Sequence, residues 1–201
     1  MRIRQGAWGW AALGALALTA TGCTGGPPDD PAQSASASPS GPSTAVASPE
    51  PTPELTAVQP VPSAEMAQPS AGGAVAAAKY YLELYRYAFA TGDLEGFTAM
   101  SATDCTFCAD VIGDIEQMVL VKHTNPPATI EFARANGIEV VPGQSYGADL
   151  EVHQGAWTEV DSTGKVTDRG GPSSVQMYFA LGWTDNAWLV RQVDVHDAPT
   201  P

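Results

Sequence analysis

Basic residues are scarce in this sequence. Nine Lys and Arg stand against 22 Asp and Glu in 201 residues, for a formal net charge of −13. A nucleic-acid partner is excluded on that ground. Phosphate binding needs a basic stripe that releases counterions, and Lys79, Arg86, Lys122, Arg134, Lys165, Arg169 and Arg191 are scattered singly. The acidic balance implies a solvated surface that keeps the protein soluble. Also missing are a phosphate-cradling glycine loop, a nucleophile elbow and two His on one helix face. No catalytic residue, metal or cofactor is expected from motifs. Between Thr24 and Gly72 there is no aromatic residue and no Lys or Arg, while 11 of the 17 prolines fall there, so no core can form in that stretch.

What is present begins with a leader. Arg2 and Arg4 precede the apolar run Gly6 to Ala20, which is shorter than the ~20 residues that span a bilayer comfortably and is rich in Gly and Ala. This is the plan of a signal peptide over residues 1–22. Its loss would remove two positive charges and take −13 to −15. The ending Leu18-Thr19-Ala20-Thr21-Gly22-Cys23 resembles the lipobox of bacterial lipoproteins, although Ala20 stands where Leu is usual. The resemblance implies that Cys23 takes a diacylglycerol on sulfur, becomes the mature N-terminus and carries acyl chains of the palmitate type. Two such chains hold a protein on a membrane where one is marginal, at about 0.8 kcal/mol per buried methylene. The expected location is the outer, cell-wall side of the cell membrane. An ordinary secreted protein with an incidental Cys23 is the alternative.

Residues 23–72 then read as a disordered Pro/Ser/Ala-rich linker. Residues 24–72 would span roughly 35–40 Å as coil and up to ~150 Å as polyproline. Their Ser/Thr/Pro content equally permits a glycosylated stalk. Residues 73–197 are the foldable remainder, of ordinary single-domain size, and 198–201 a tail.

In the remainder, Val75, Ala78, Tyr81, Leu82, Tyr85, Ala88 and Phe89 recur at helical spacing, predicting a helix over Ala74–Ala90 with Lys79, Glu83 and Arg86 on its wet side. Gly92 and Asp93 end it and cap a short helix over Leu94–Met100. A third helix runs to about Lys122 and buries Val111, Ile112, Ile115, Met118 and Val119. Cys105 and Cys108 stand at its start. With Cys23 acylated they have only each other outside the cytoplasm, and a small structural disulfide is expected. A thioredoxin-like redox site is the sharper alternative, but no strand precedes the motif; a zinc site lacks ligand spacing to His123, His153 or His196.

Past Pro126-Pro127 the period becomes alternating. Thr129–Val141 carries Asn136-Gly137, a hairpin or bulge signal, with a short helix over Ile130–Asn136 as the alternative. Ala148–Val160 reads as one strand bent at Gly155, with Leu150 and Val152 opposite Asp149, Glu151 and His153. Val175, Met177, Phe179, Leu181 and Trp183 alternate before a turn at Thr184-Asp185-Asn186-Ala187, and Trp188 opens the return strand. Helices first and sheet second is an α+β plan, with N-terminal helices in the concave face of a curved antiparallel sheet.

The long first helix, Thr91-Gly92-Asp93-Leu94, and the Trp183 hairpin Trp188 together resemble the nuclear-transport-factor-2-like, cystatin-related superfamily over roughly Val75 to Val195. Anchor, spacer, Ala-Lys-Tyr-Tyr helix and cysteine pair resemble a family of actinobacterial lipoproteins of unknown function. The resemblance implies a cone between helix and sheet. Tyr81, Tyr85, Phe89, Met177, Phe179 and Trp183 either line a pocket in it or make plain core. Two functions follow: a non-catalytic module for a small apolar ligand or a protein partner, with a homodimer through the sheet as a further partner, or an isomerase- or dehydratase-like enzyme. The enzyme needs a base inside the cone, and Asp194, His196 and His153 are the candidates.

Overall fold

The computed structural model describes residues 57–198; the expected leader, Cys23, the spacer up to Thr56 and the tail from Pro199 lie outside them. Helix α1 spans Ala71–Thr91. Ser70 sets its start, its Oγ accepting from the Gly73 N–H at 3.0 Å and so satisfying one of the first-turn donors. Gly92 sets its end at φ 78°, a left-handed conformation that costs glycine little. The buried arc holds Ala74, Ala77, Ala78, Tyr81, Leu82, Tyr85, Ala88 and Phe89. It is wider than the periodicity predicts, because Gly73, Ala76 and Leu84 are buried as well. Leu84 is covered by Gly96 of the next helix, and Gly73 by Trp188. Arg86 and Glu83 pair at 2.7 Å outside that arc.

Helix α2 is short, Glu95–Ala99, and inserts Phe97 into the core. Asp93 Oδ1 accepts from the Glu95 N–H at 3.0 Å, so the expected aspartate does serve this helix start. Helix α3 spans Thr106–Leu120 and buries Cys108, Val111, Ile115 and Met118. Val119, expected inside, is half exposed. The last turn closes by His123 N–H to Met118 O at 2.9 Å and Lys122 N–H to Val119 O at 3.0 Å. That is a left-handed helix stop with Lys122, φ 58°, in the position glycine usually takes. No described helix is long and apolar enough to cross a membrane.

Six strands follow: β1 Ile130–Val141, β2 Ser145–Gln154, β3 Trp157–Val160, β4 Val166–Gly170, β5 Ser173–Thr184 and β6 Ala187–Asp197. The main sheet is antiparallel in the order β1-β2-β5-β6, and β3 pairs with β4 as a separate two-stranded arm. Along β2 burial alternates strictly, with Tyr146, Ala148, Leu150, Val152 and Gln154 inside. The β5–β6 turn falls at Asp185 and Asn186, φ 54° and 60°, where two left-handed residues match the right-handed twist of a tight hairpin. The chain is therefore α+β, with helices laid on a curved antiparallel sheet, as expected. The link from α2 to α3 also covers the β6 edge, through Ala102 N–H to Val190 O at 2.9 Å and Val190 N–H to Met100 O at 2.7 Å.

Three expectations are corrected. Of the readings of Thr129–Val141 the bulged strand holds, not the hairpin or part helix, but β1 has its register shifts at Phe132/Arg134 and Glu139/Val141 instead of at Asn136-Gly137. Gly137 is needed for a different reason. A Cβ there would run into the main chain of Ala71, where α1 begins across the strand. Ala148–Val160 is two strands, because at Gly155 the chain leaves the sheet, its N–H donating to Thr129 O at 2.9 Å. Finally, packing begins before Gly73. A 3-10 turn at Ala64–Ala67 precedes α1, and Met66 packs against the core.

Candidate functional site

Tyr81, Tyr85 and Phe89 lie four residues apart on α1, so they stack along one helix face and point at the sheet. Met177 and Phe179 face them from β5, and all five are at most 5% exposed. The rings touch one another: Tyr81 stacks on Phe97 at 4.4 Å and meets Phe179 edge-on at 6.4 Å, and Tyr85 lies 4.7 Å from Phe89 and 6.3 Å from Phe97. Trp183, the sixth candidate, is only half-buried and packs on Trp188 at 5.0 Å at the far end of the hairpin. The structure thus assembles five of the six as packed core.

The hydroxyls are accounted for in the same way. Ser101 Oγ donates to Phe97 O at 2.7 Å, so the 2.9 Å contact with Tyr81 is the phenol donating to Ser101. Burial pushes the Tyr81 phenol well above its ordinary range, an effect the Ser101 hydrogen bond opposes in part. Burial pushes Tyr85 up further, and the negative charge of Asp114 adds to it. Both phenols stay protonated at neutral pH and offer no base.

Phe89 also borders a cleft that no sequence pattern pointed to. It holds about 200 Å³ and is lined further by Asp114, Gln117, Met118, Val121, Asn125 and Glu159. The left-handed stop at Lys122 turns His123 back toward the arm, where its Nδ1 lies 2.8 Å from Glu159 Oε1. Thr124 pairs with Val160 through two main-chain hydrogen bonds of 2.8 and 2.9 Å, and Asn125 N–H donates to Phe89 O at 3.1 Å. These residues come from α1, α3 and β3, so their meeting is a product of the topology. The helical period ending at Lys122 was the one available signal.

The candidate bases lie elsewhere. Asp194 and His196 are exposed on β6, flanking half-buried Val195 and alternating with buried Val193. Asp194 accepts from Gln192 Nε2 at 3.2 Å, and His196 meets the Tyr178 ring at 5.6 Å. His153 sits on the outer face of β2 beside Ser174 Oγ at 3.1 Å and Glu151 at 3.5 Å. None of the three faces the aromatic core. Cys105 and Cys108 form a disulfide with Cα atoms 5.2 Å apart, both cysteines 1% exposed. Cys105 also caps α3, its Sγ accepting from the Cys108 N–H at 3.1 Å.

A model of a family of unknown function (DUF6318) matches residues 37–194. No curated protein matches the chain. Among solved structures, an uncharacterised protein with a cystatin-like fold from Caulobacter vibrioides is 12% identical, with 63% of this chain and 91% of that one covered and a TM-score of 0.41. An NTF2-like protein of unknown function from Pseudomonas putida KT2440 is 12% identical over 66% of this chain and 91% of that one, at a TM-score of 0.41. A ketosteroid isomerase-like protein from Erwinia carotovora atroseptica is 14% identical over 63% and 97%, at 0.40.

Proposed function

The chain belongs to the DUF6318 family of unknown function, and we propose that it is an exported, lipid-anchored protein whose folded domain binds a protein partner and performs no chemistry. One observation carries the binding half. The rings that could have lined a ligand pocket are spent on one another, with Tyr81, Tyr85, Phe89 and Phe97 in mutual contact. A cone filled by its own side chains leaves recognition to the outside. There Tyr178 is 45% and Ile138 62% exposed on the outer sheet face, beside Asp149, Glu151 and Asp194. With Glu151 already met by Arg134 at 3.6 Å and His196 against Tyr178, the apolar centre has a mixed rim in which Asp149 and Asp194 suit a protein surface with basic groups at matching positions. The anchoring half rests on the leader and on Ala20-Thr21-Gly22-Cys23, with the Pro-rich spacer letting the domain search beyond the membrane surface.

The test is a photo-crosslinking residue at position 178 of the full chain in its native cells. A discrete adduct is expected, and one of twice the chain's mass would identify a second copy as the partner. Turnover on a hydroxylated or steroid-like substrate, lost in Asp194→Asn or His196→Gln with stability intact, would replace this reading by the isomerase or dehydratase alternative. For the anchor, Cys23→Ala should release the protein from the membrane fraction and abolish labelling by a fatty-acid probe. Equal labelling of both forms refutes the lipid anchor.

A further inference from the structure

The segment before α1 is held on the domain by two aromatic donors. Trp188 Nε1–H donates to Met66 O at 2.8 Å, and the Tyr146 hydroxyl donates to Pro69 O at 2.7 Å, with Glu139 Oε1 a longer neighbour at 3.1 Å. Both acceptors from the segment are main-chain carbonyls three residues apart. The two rings meet edge to face at 5.0 Å, and Trp183 continues the row at a further 5.0 Å. Met66 is the one residue of 61–70 that is not exposed, and it packs against the core.

Beyond these contacts it meets the first turn of α1, where the Glu65 and Gln68 carbonyls lie against Gly73 and Ser70 caps the helix; the rest of its hydrogen bonds are its own. Met66 N–H goes to Ser63 O, Gln68 N–H to Glu65 O and Ser70 N–H to Gln68 O, all within it. On its other side it stands off α1, leaving an open groove of about 530 Å³ between Val58–Glu65 and Ala76, Lys79, Tyr80 and Glu83. Val58 and Val61 are 79% and 85% exposed. A segment with one apolar anchor and two carbonyl contacts is bound the way a peptide is bound.

Proline-rich segments dock in aromatic-lined grooves, and Trp N–H and Tyr O–H groups give such surfaces an apolar body with a polar tip. Pro69 supplies one of the two carbonyls, and Pro60 and Pro62 stand just before the clamped turn. We propose that Tyr146, Trp183 and Trp188 form a peptide clamp, with residues 63–69 as its resident ligand in cis, exchangeable for a short proline-containing peptide of the same kind. Because both hydrogen bonds read the main chain, the clamp tolerates different side chains at every position but the Met66 site. This surface is distinct from the outer sheet face and stands without the partner-binding reading.

The test uses the full chain carrying Met66→Asp, which removes the apolar anchor and leaves the clamp intact. Exchange of the main-chain amides of residue 66, Gln68 and Ser70 should rise by roughly tenfold or more while α1 and β5 keep their protection. A synthetic peptide of residues 57–70 with native Met66 should then return the Trp188 indole N–H resonance to its original position, saturating at or below the millimolar range set by a tethered ligand. Adding Tyr146→Phe and Trp188→Phe should abolish saturable binding of the same peptide, followed by titration calorimetry, in a chain whose circular dichroism is unchanged. Unaltered exchange in Met66→Asp overturns the proposal. So does a released segment with no saturable peptide binding, or binding that survives loss of both donors.

Discussion

Replacing Phe97 by Ala asks whether the cone is filled. The Phe97 ring is 1% exposed, stacked at 4.4 Å on Tyr81 and 6.3 Å from Tyr85, so its removal leaves a hole between two buried phenols and the sheet. Deleting such a ring costs about 3–5 kcal/mol, the transfer of the lost atoms plus the cavity left behind. A domain of ~140 residues unfolds with an entropy near 0.3 kcal/mol/K, so a loss of about 4 kcal/mol lowers Tm by about 13 °C. Against a total stability of ~5–15 kcal/mol the variant should still fold. Thermal and urea unfolding followed by circular dichroism measure it, with an unchanged urea slope as the check that the unfolded state is the same. A loss below ~1 kcal/mol would mean the ring is not close-packed, and an open pocket between α1 and the sheet would have to be reinstated.

Alkali should unfold the protein through Tyr81 and Tyr85. Both phenols are raised by burial above their unfolded value, so the folded state holds these protons more tightly; the stabilisation is whole below about pH 10 and falls above it by about 1.4 kcal/mol per pH unit for each tyrosine. The urea midpoint should be level from about pH 7 to 9 and then drop, with Tyr85→Phe reducing the slope; a level midpoint at about pH 11 contradicts the burial. Replacing Cys105 and Cys108 together by Ser should cost about 2 kcal/mol, the low end for a disulfide because the loop is short. Ala at position 105 should cost a further ~1 kcal/mol, since the sulfur also caps α3. Loss of a disulfide-reducing activity in either variant would argue for redox chemistry. Lys122→Gly should raise stability by up to ~1 kcal/mol by relieving the left-handed residue, and a drop of that size in urea titration would count against the strain.

Much of this fold is written locally. Strict alternation from Val175 to Leu181 and the Asp185-Asn186 turn specify a hairpin whichever way the rest packs, and Ser70, Gly92 and Asp93 mark helix ends through their own side chains or lack of one. What escaped was decided between distant residues. Asn136-Gly137 has the composition of a turn, yet Gly137 serves the passage of α1 over the strand. Residues 57–72 have the composition of spacer, and only Trp188 and Tyr146, far along the chain, hold Met66 and Pro69. The aromatic stripe of α1 looks the same whether it faces a ligand or Phe97 and Phe179. Spacing sets direction, while the contents of the space come from other elements.

The arm bears on how the sheet can assemble. Strands β5 and β6 are joined by a two-residue turn and β1 and β2 by a short one, so both hairpins close cheaply in entropy. Pairing β2 with β5 has to span residues 155–172, the longest interval in the sheet. That interval is itself a closed hairpin, β3 on β4, pinned near its turn where Thr124 meets Val160. Once it forms, only Gly155, Ala156, Gly171 and Pro172 remain to be ordered between the two central strands. The excursion therefore lowers the effective contact order of the central pairing, and the sheet can grow by zipping one neighbour at a time instead of waiting for a long-range encounter.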